Sequence, residues 1–239
     1  MSAYDIGYIV TGVLMLFSII FAIVAEVKVF GTFNKFSKVD SGLELTGAEF
    51  ARKLIHENGL SVTVKMCQGK LSDHYNPKDQ TINISAENFD SRSIASHAIV
   101  AHEFGHALQH ANGYKPLFAR QGIIVFSNVM SKLLMPLVFL GIIIELCTLG
   151  KVHVGSFIIY FAVLMYAVAL IANLVTLRVE FNASNRAKKI MTNMNIYGSE
   201  QMAGVSKVLN SAALTYVASM LISLAYFLRF LLVFLSSRD

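Results

Sequence analysis

The chain has 239 residues, of which 55% are hydrophobic and only 15% are charged, and its mean hydropathy is +0.57. Soluble proteins carry about 25% charged residues, so this composition excludes an ordinary water-soluble protein. The net charge of +5 does not indicate a nucleic-acid partner, because the basic residues are dispersed and flank apolar blocks. The sequence therefore predicts a mainly α-helical membrane protein with a small soluble part.

Four apolar blocks are long enough to cross a bilayer, at about 6–25, 122–149, 154–177 and 212–234. The first block has neither a basic start nor a small-residue cleavage site, so it is predicted to be a retained anchor. The blocks divide the chain into a first transmembrane helix (1–30), a catalytic segment (31–121), a transmembrane hairpin (122–177), a second soluble segment (178–211) and a fourth transmembrane helix (212–239).

Lysine and arginine residues set the predicted orientation. Most of them lie in 28–120 and 178–210, between the apolar blocks. Because cytoplasmic loops are enriched in Lys and Arg, both segments are predicted to be cytoplasmic, with the N- and C-termini outside. The chain is thus expected to be a multi-pass protein of the cell membrane, with the lipid bilayer as a partner.

The catalytic segment contains strand signals. The residues 61–66 alternate and are β-branched, and 69–74 and 81–85 resemble two strands joined by a turn at 76–79. The edge of 81–85 is a candidate for binding an extended peptide by strand addition. A small sheet that only supports the following helix is an equal alternative.

Two helices are predicted around these strands, which gives a small α+β catalytic part. Thr46 and Glu49 match a capping box that opens a helix at about 47–57. Asp90 or Ser91 can cap a second helix, which runs to about residue 111 and ends at an Asn-Gly pair.

The second helix contains His102-Glu103-Phe104-Gly105-His106, which is an H-E-x-x-H pattern. A spacing of four residues puts both imidazoles on one helix face, where they can reach a single Zn²⁺. The glutamate between them is close enough to take a proton from a water at the metal. The alternative is a His-rich surface helix without a metal. The pattern favours one zinc site, with His102 and His106 as ligands and Glu103 as the catalytic base.

Catalytic zinc usually takes a third protein ligand and leaves the fourth position open. The chemically suitable residues are His74, His97, His110, His153, Glu180 and Glu200. On the helix, His97 points away from His102, and His110 lies two turns from it, whereas His153 is expected across the membrane. Glu180 is favoured, because it directly follows the third apolar block and so returns to the same side. Ser184, one turn later, can orient a ligand.

The stretches AHEFGHALQHANGY (101–114), SDHYNP (72–77) and VEFNASNRA (179–187) resemble a bacterial family of membrane neutral zinc metallopeptidases, often called YugP-like. The similarity covers nearly the whole chain. The layout is more distantly similar to HtpX-like and CAAX-prenyl endopeptidases, which place H-E-x-x-H and a later E-x-x-x-D between spans. In that pattern the Glu is the third zinc ligand, which matches Glu180, whereas Ser184 stands at the Asp position. The resemblance implies a zincin-like, gluzincin-type peptidase.

The predicted reaction is hydrolysis of a peptide bond by a zinc-activated water, with Glu103 also passing the proton to the leaving amine. His74, Tyr75 and Arg186 are candidates for stabilising the oxyanion, against purely local roles in a turn or at phospholipid. Because Glu180 lies only three residues beyond the third block, substrates are expected to be membrane or juxtamembrane proteins. The alternatives are a non-enzymatic membrane zinc-binding protein and a scaffold. Cleavage specificity and oligomeric state stay open.

Overall fold

The structure is a computed structural model that describes residues 3–148 and 154–236. It is mainly helical with one small sheet. Its elements in chain order are α1 (Ala3–Phe36), α2 (Gly47–Glu57), β1 (Thr63–Cys67), β2 (His74–Asn76), β3 (Thr81–Ser85), α3 (Ala86–Phe89), α4 (Ile94–Ala111), α5 (Lys115–Cys147), α6 (Val154–Asn193) and α7 (Ser199–Ser236).

Among the described residues, three helical stretches are long and apolar enough to cross a membrane, namely Tyr4–Phe36, Tyr160–Asn193 and Ser199–Ser236. They coincide with the first, third and fourth predicted spans. Their outer faces expose large apolar side chains such as Val13 and Ile20, which suits contact with lipid. The second predicted span falls on α5, in which several side chains lie outside the described set, so that span stays a prediction.

The chain forms two compact units. The first comprises Met1–Ile23, Phe118–Leu177 and Tyr216–Asp239, and the second comprises Val24–Leu117 and Arg178–Thr215. The first unit therefore contains most of the apolar helical residues, and the second contains the sheet, α2, α3, α4 and one end of each of the four long helices α1, α5, α6 and α7.

In the first unit, Arg229 of α7 is held by α1. Its Nη1 donates a hydrogen bond of 2.7 Å to the carbonyl oxygen of Tyr8, and its guanidinium lies 4.4 Å from the centre of the Tyr8 ring. A charged side chain in an apolar helix requires such partners, because water is scarce there. Arg229 of α7 thus bonds to a neighbouring helix, α1.

The sheet has the strand order β1-β3-β2, with β1 parallel and β2 antiparallel to β3. The prediction of a free edge at 81–85 is therefore wrong, because β3 is the central strand and both of its edges are paired. The predicted strand at 69–74 is also wrong. Gly69 and Leu71 have φ angles of 101° and 49°, which belong to a turn, and β2 begins only at His74.

Local capping interactions fix where the helices begin. The capping box of α2 is present, because Thr46 accepts from the Glu49 amide and the Glu49 carboxylate accepts from the Thr46 amide. The cap predicted for the H-E-x-x-H helix is wrong by two or three residues. Ser93 caps α4 by accepting from the Ser96 amide, because Ala86–Phe89 forms the separate short helix α3 and Asp90 ends it.

The core of the second unit surrounds α4 on most sides. Phe50 and Leu54 of α2, Ile82 and Ile84 of β3, and Phe104 of α4 are all fully buried. Packing on both faces leaves α4 little freedom to tilt or rotate. Its His-bearing face is consequently held in a fixed direction.

Candidate metal site

Two histidines of α4 and one glutamate of α6 lie together. The Nε2 atoms of His102 and His106 are 3.1 and 3.4 Å from Oε2 of Glu180, and one ligand atom from each residue lies within 4.8 Å of the others. Ligands about 2.0–2.1 Å from a tetrahedral Zn²⁺ are about 3.3 Å apart, so the separations fit one zinc ion. Two imidazole nitrogens and a carboxylate oxygen are also a donor set that catalytic zinc uses.

The second nitrogen of each imidazole has its own hydrogen-bond partner. Nδ1 of His102 lies 3.1 Å from Oγ of Ser184, and Nδ1 of His106 lies 3.0 Å from Oε1 of Gln109. Such partners keep the proton on Nδ1 and leave the Nε2 lone pair for a metal. Ser184 was expected to orient a ligand, and the structure places its hydroxyl where it can do so.

The orientation of the Gln109 amide follows from its other contacts. Its Nε2 donates to the carbonyl oxygen of Val179 at 2.8 Å and to Oδ1 of Asn182 at 3.0 Å. Since the NH₂ group is committed to two acceptors, the oxygen faces His106 and accepts from its Nδ1–H. Arg186 donates to the same Asn182 oxygen at 2.8 Å. His106 of α4 is therefore joined to α6 through a chain of oriented hydrogen-bonding groups.

A glycine permits the close approach of α4 and α6. A Cβ atom at Gly105 would lie 2.6 Å from the carbonyl oxygen of Ala183, a distance that no real side chain tolerates. Because Gly105 has no side chain, α6 can lie directly against α4 at this position. Glu180 and Ser184 lie on either side of the contact between Gly105 and Ala183.

Glu103 is buried beside the three candidate ligands, with 7% of its surface exposed. Its Oε2 accepts a hydrogen bond of 2.8 Å from the backbone amide of Tyr75 in β2. Burial raises the pKa of Glu103, although the charges of His102 and His106 and the Tyr75 amide oppose that change. A carboxylate with a raised pKa, held in place by a backbone amide, accepts a proton more readily than an exposed one and is suited to the role of a base.

The electrostatics of His106 reflect the carboxylates beside it. Burial on its own lowers the pKa of His106, but the hydrogen bond to Glu180 and the charges of Glu103 and Glu180 raise it more. Negative charge concentrated around the imidazoles in this way is a favourable setting for a divalent cation.

The other candidates for the third ligand have different surroundings. The rings of His97 and His110 bond to tyrosine hydroxyls, at 2.9 Å and 2.8 Å. His74 is exposed and bonds to the carbonyl oxygen of Ser72. Glu200 is exposed and lines a separate cavity, and His153 lies outside the described residues.

The three oxyanion candidates all have hydrogen-bond partners within the protein. His74 closes a turn through Ser72. Tyr75 uses its amide for Glu103 and its hydroxyl for Nδ1 of His110, at 2.8 Å. Arg186 bonds to Asn182 within α6. A role for any of them at the oxyanion stays a prediction.

Sequence reasoning missed Gln109, Asn182 and the Tyr75 amide. A signal for Gln109 existed, because it lies three residues after His106 and so shares its helix face. Nothing in the sequence indicated the contact between Glu103 and Tyr75, which depends on how β2 packs against α4.

The chain combines apolar helices long enough to span a bilayer with two histidines and one carboxylate that could hold a metal ion beside a buried glutamate. This combination is typical of the class of membrane metallohydrolases. The chain belongs to the family described as "Putative neutral zinc metallopeptidase", which matches residues 11–235. It is 40% identical over 216 residues to "Putative membrane protease YugP" of Bacillus subtilis (strain 168), covering 90% of this chain and 92% of that protein. No solved structure matches the chain. The family implies Zn²⁺ as the cofactor.

Proposed function

We propose that the protein is a zinc-dependent endopeptidase of the cell membrane that hydrolyses peptide bonds in membrane or juxtamembrane substrates. The observation that carries this proposal is the position of Glu103, buried next to a three-residue donor set made of His102, His106 and Glu180. A protein that only stores or senses zinc has no need for an oriented base beside the metal ligands. That observation favours an enzyme over the non-enzymatic zinc-binding and scaffold alternatives.

The proposed mechanism assigns one role to each group. His102, His106 and Glu180 would hold Zn²⁺, which would supply Lewis-acid polarisation of a water and of a peptide carbonyl. Glu103 accepts the proton from the water as it attacks and delivers that proton to the leaving amine. The Tyr75 amide keeps the carboxylate of Glu103 in position through both transfers.

The proposed substrate class follows from the continuity of α6. This helix runs from Val154 to Asn193 without interruption, and Glu180 lies three residues beyond the apolar block. Three residues add about 4.5 Å of helix, which supports a site at the bilayer surface. The distribution of Lys and Arg supports a cytoplasmic catalytic part with both termini outside. Flexible segments of membrane proteins near that surface are then the accessible peptides.

The test compares wild type with Glu103→Gln in purified, membrane-reconstituted form and by membrane proteomics. The variant keeps the shape of the side chain and removes its capacity as a base. We expect one zinc per chain in both proteins, cleavage slower by about 10²–10⁴-fold in the variant, and accumulation of uncut membrane proteins.

Glu57→Gln, at an exposed position of α2, is the matched control and should cleave at the wild-type rate. Cleavage by Glu103→Gln at the wild-type rate would overturn the mechanism. Bound zinc in the wild type without any accumulated substrate in the variant would instead favour a zinc-binding role.

A further inference from the structure

A basic groove lies in the second unit, between the end of α1 and the start of α7. Its volume is about 690 Å³, within the range of about 300–1,000 Å³ that is typical of small-molecule sites. From α1 it is lined by Lys28, Gly31, Thr32 and Lys35. These positions repeat at i, i+3, i+4 and i+7, so they share one face of the helix.

The opposite wall has the same spacing. It consists of Lys207, Asn210, Ser211 and Leu214 of α7. Asn210 accepts a hydrogen bond of 2.7 Å from Nζ of Lys188 through its side-chain oxygen. Because the oxygen is occupied, the NH₂ group of Asn210 remains the free end of this amide, and Lys188 adds a further ammonium close to the groove. The two walls together offer ammonium and amide donors and the hydroxyl of Thr32, whereas the Ser211 hydroxyl donates to the carbonyl oxygen of Val208 at 2.8 Å.

The charged side chains that line the groove itself are all basic. No Asp or Glu lines it. Within residues 3–148 and 154–236, Lys28, Lys35 and Lys207 form no ion pair within 4.0 Å. Lys35 and Lys207 also line a smaller neighbouring cavity of about 350 Å³ together with Asp40 and Glu200, but among the described residues neither carboxylate lies within 4.0 Å of these ammonium groups. A concave surface with uncompensated ammonium groups attracts an anion.

The position of the groove relative to the apolar blocks of both helices indicates which kind of anion it binds. Lys28 lies three residues after the end of the first apolar block, and Ser211 immediately precedes the fourth. On both helices the groove therefore begins where the hydrocarbon-spanning segment stops, which is the level of lipid headgroups. Phospholipids present their phosphate at this level, and clustered lysines next to a span recognise anionic headgroups.

We propose that this groove binds the headgroup of an anionic phospholipid. The phosphate lies between Lys28, Lys35 and Lys207, and the hydroxyl of Thr32 is within the same cavity for the ester and glycerol oxygens. This inference does not depend on the peptidase mechanism, because none of these residues belongs to the zinc site.

The experiment measures binding of phosphatidylglycerol to the full chain in neutral detergent, by native mass spectrometry and by the shift in thermal midpoint. Phosphatidylcholine and free glycerol phosphate are the comparison ligands. Each lysine near a headgroup strengthens binding by about fivefold. The triple variant K28Q/K35Q/K207Q should therefore bind phosphatidylglycerol about a hundredfold more weakly than the wild type. The difference between the two proteins should shrink at high salt, because salt screens the lysine charges.

A second variant removes space rather than charge. Nothing lies within 4 Å of a Cβ placed at Gly31, so Gly31→Leu can direct a side chain into the groove from an unobstructed Cβ position, and leucine favours the helix over glycine. It should lose most of the lipid binding while keeping all three lysines and an unchanged or higher lipid-free thermal midpoint.

The charge-matched control is K65Q/K70Q/K78Q, which neutralises three exposed lysines around the sheet and should bind like the wild type. Equal weakening in this control would overturn the proposal, because binding would then follow net charge. Equal binding of glycerol phosphate or phosphatidylcholine to the wild type would also overturn it, because the groove would not select an anionic lipid.

Discussion

The helices α4 and α6 contribute to the same site in different ways. The first supplies His102, Glu103 and His106 within a single short motif. The second supplies only Glu180 as a candidate ligand, but it also supplies Ser184 beside His102 and the acceptors that orient Gln109 toward His106. The chemistry is thus concentrated in α4, and the hydrogen bonds that align it come from α6. Changes on α6 should therefore act through zinc binding, whereas a change at Glu103 acts on the rate alone.

The largest effect on zinc is expected at Glu180. Glu180→Gln removes the anionic ligand and leaves two imidazoles, which do not make a complete catalytic site. Zinc affinity should fall by more than about 100-fold, which exceeds the loss usual for outer hydrogen-bond partners. Competition with a chromophoric chelator measures this. Glu200→Gln, an exposed carboxylate near the start of α7, is the control, and full zinc retention by Glu180→Gln would refute the assignment.

A smaller loss is expected at Gln109, which connects the two helices. Gln109→Ala removes the acceptor for His106 Nδ1–H and the hydrogen bonds that the Gln109 amide donates to Val179 and Asn182, of which Asn182 keeps Arg186 as a donor. We expect zinc affinity to fall by about 10–100-fold in the same chelator assay. Gln68→Ala, an exposed glutamine after β1, should change nothing. If both variants bound zinc equally, the chain of hydrogen bonds from α6 would have no role in holding the metal.

The parts of the site that could be predicted from the sequence depend on short spacings. The H-E-x-x-H motif needs only the helical period, and the α2 capping box spans four residues, so both were readable. Glu180 required a further step, namely that two intervening spans return the chain to the same side. The contacts of Gln109 with Val179 and Asn182 connect residues 70 and 73 positions apart. No local pattern encodes such a separation.

The sheet shows the same limit. The sequences of β1 and β3 were both readable as strands, because they alternate and are β-branched. Their parallel pairing, with Thr63 opposite Thr81, could not be predicted from the sequence. The strands β2 and β3 are joined by a turn, so the sequence suggested a hairpin. A hairpin alone would leave one edge of β3 unpaired. The insertion of β3 between the other two strands depends on packing against α4, which explains why the proposed peptide-binding edge was wrong.

Ser184 tests whether a hydroxyl is sufficient where the wider family pattern has an aspartate. Ser184→Ala removes the partner of His102 Nδ1 and should weaken zinc binding by about tenfold, at the low end for such partners. Ser184→Asp supplies a stronger acceptor and should bind zinc at least as tightly as the wild type. The two variants are compared by chelator competition at pH 7.5. Tighter binding by the alanine variant would mean that α6 does not orient His102.

The smallest effect concerns His97, which lies on α4 but outside the zinc site and connects this helix to the segment after α6. Its ring is fully buried, with Nδ1 at 2.9 Å from the Tyr197 hydroxyl and Nε2 at 2.8 Å from the carbonyl oxygen of Leu45. Burial lowers the pKa of His97 below its ordinary value of 6.5, although the Leu45 carbonyl opposes that change. In the unfolded chain the same imidazole takes up a proton near pH 6.5.

Because the unfolded state binds more protons, the stability contributed by His97 is present above pH 6.5 and is lost as the pH falls below it, by up to about 1.4 kcal/mol per pH unit. His97→Gln retains an amide donor and acceptor but cannot be protonated. Thermal midpoints of the wild type and of His97→Gln are measured between pH 8 and pH 5.5 at saturating zinc. The wild type should exceed the variant most at pH 8, and the difference between them should shrink as the pH falls. Parallel curves would show that the pH dependence of folding arises elsewhere, with the zinc-site histidines of α4 as the remaining source.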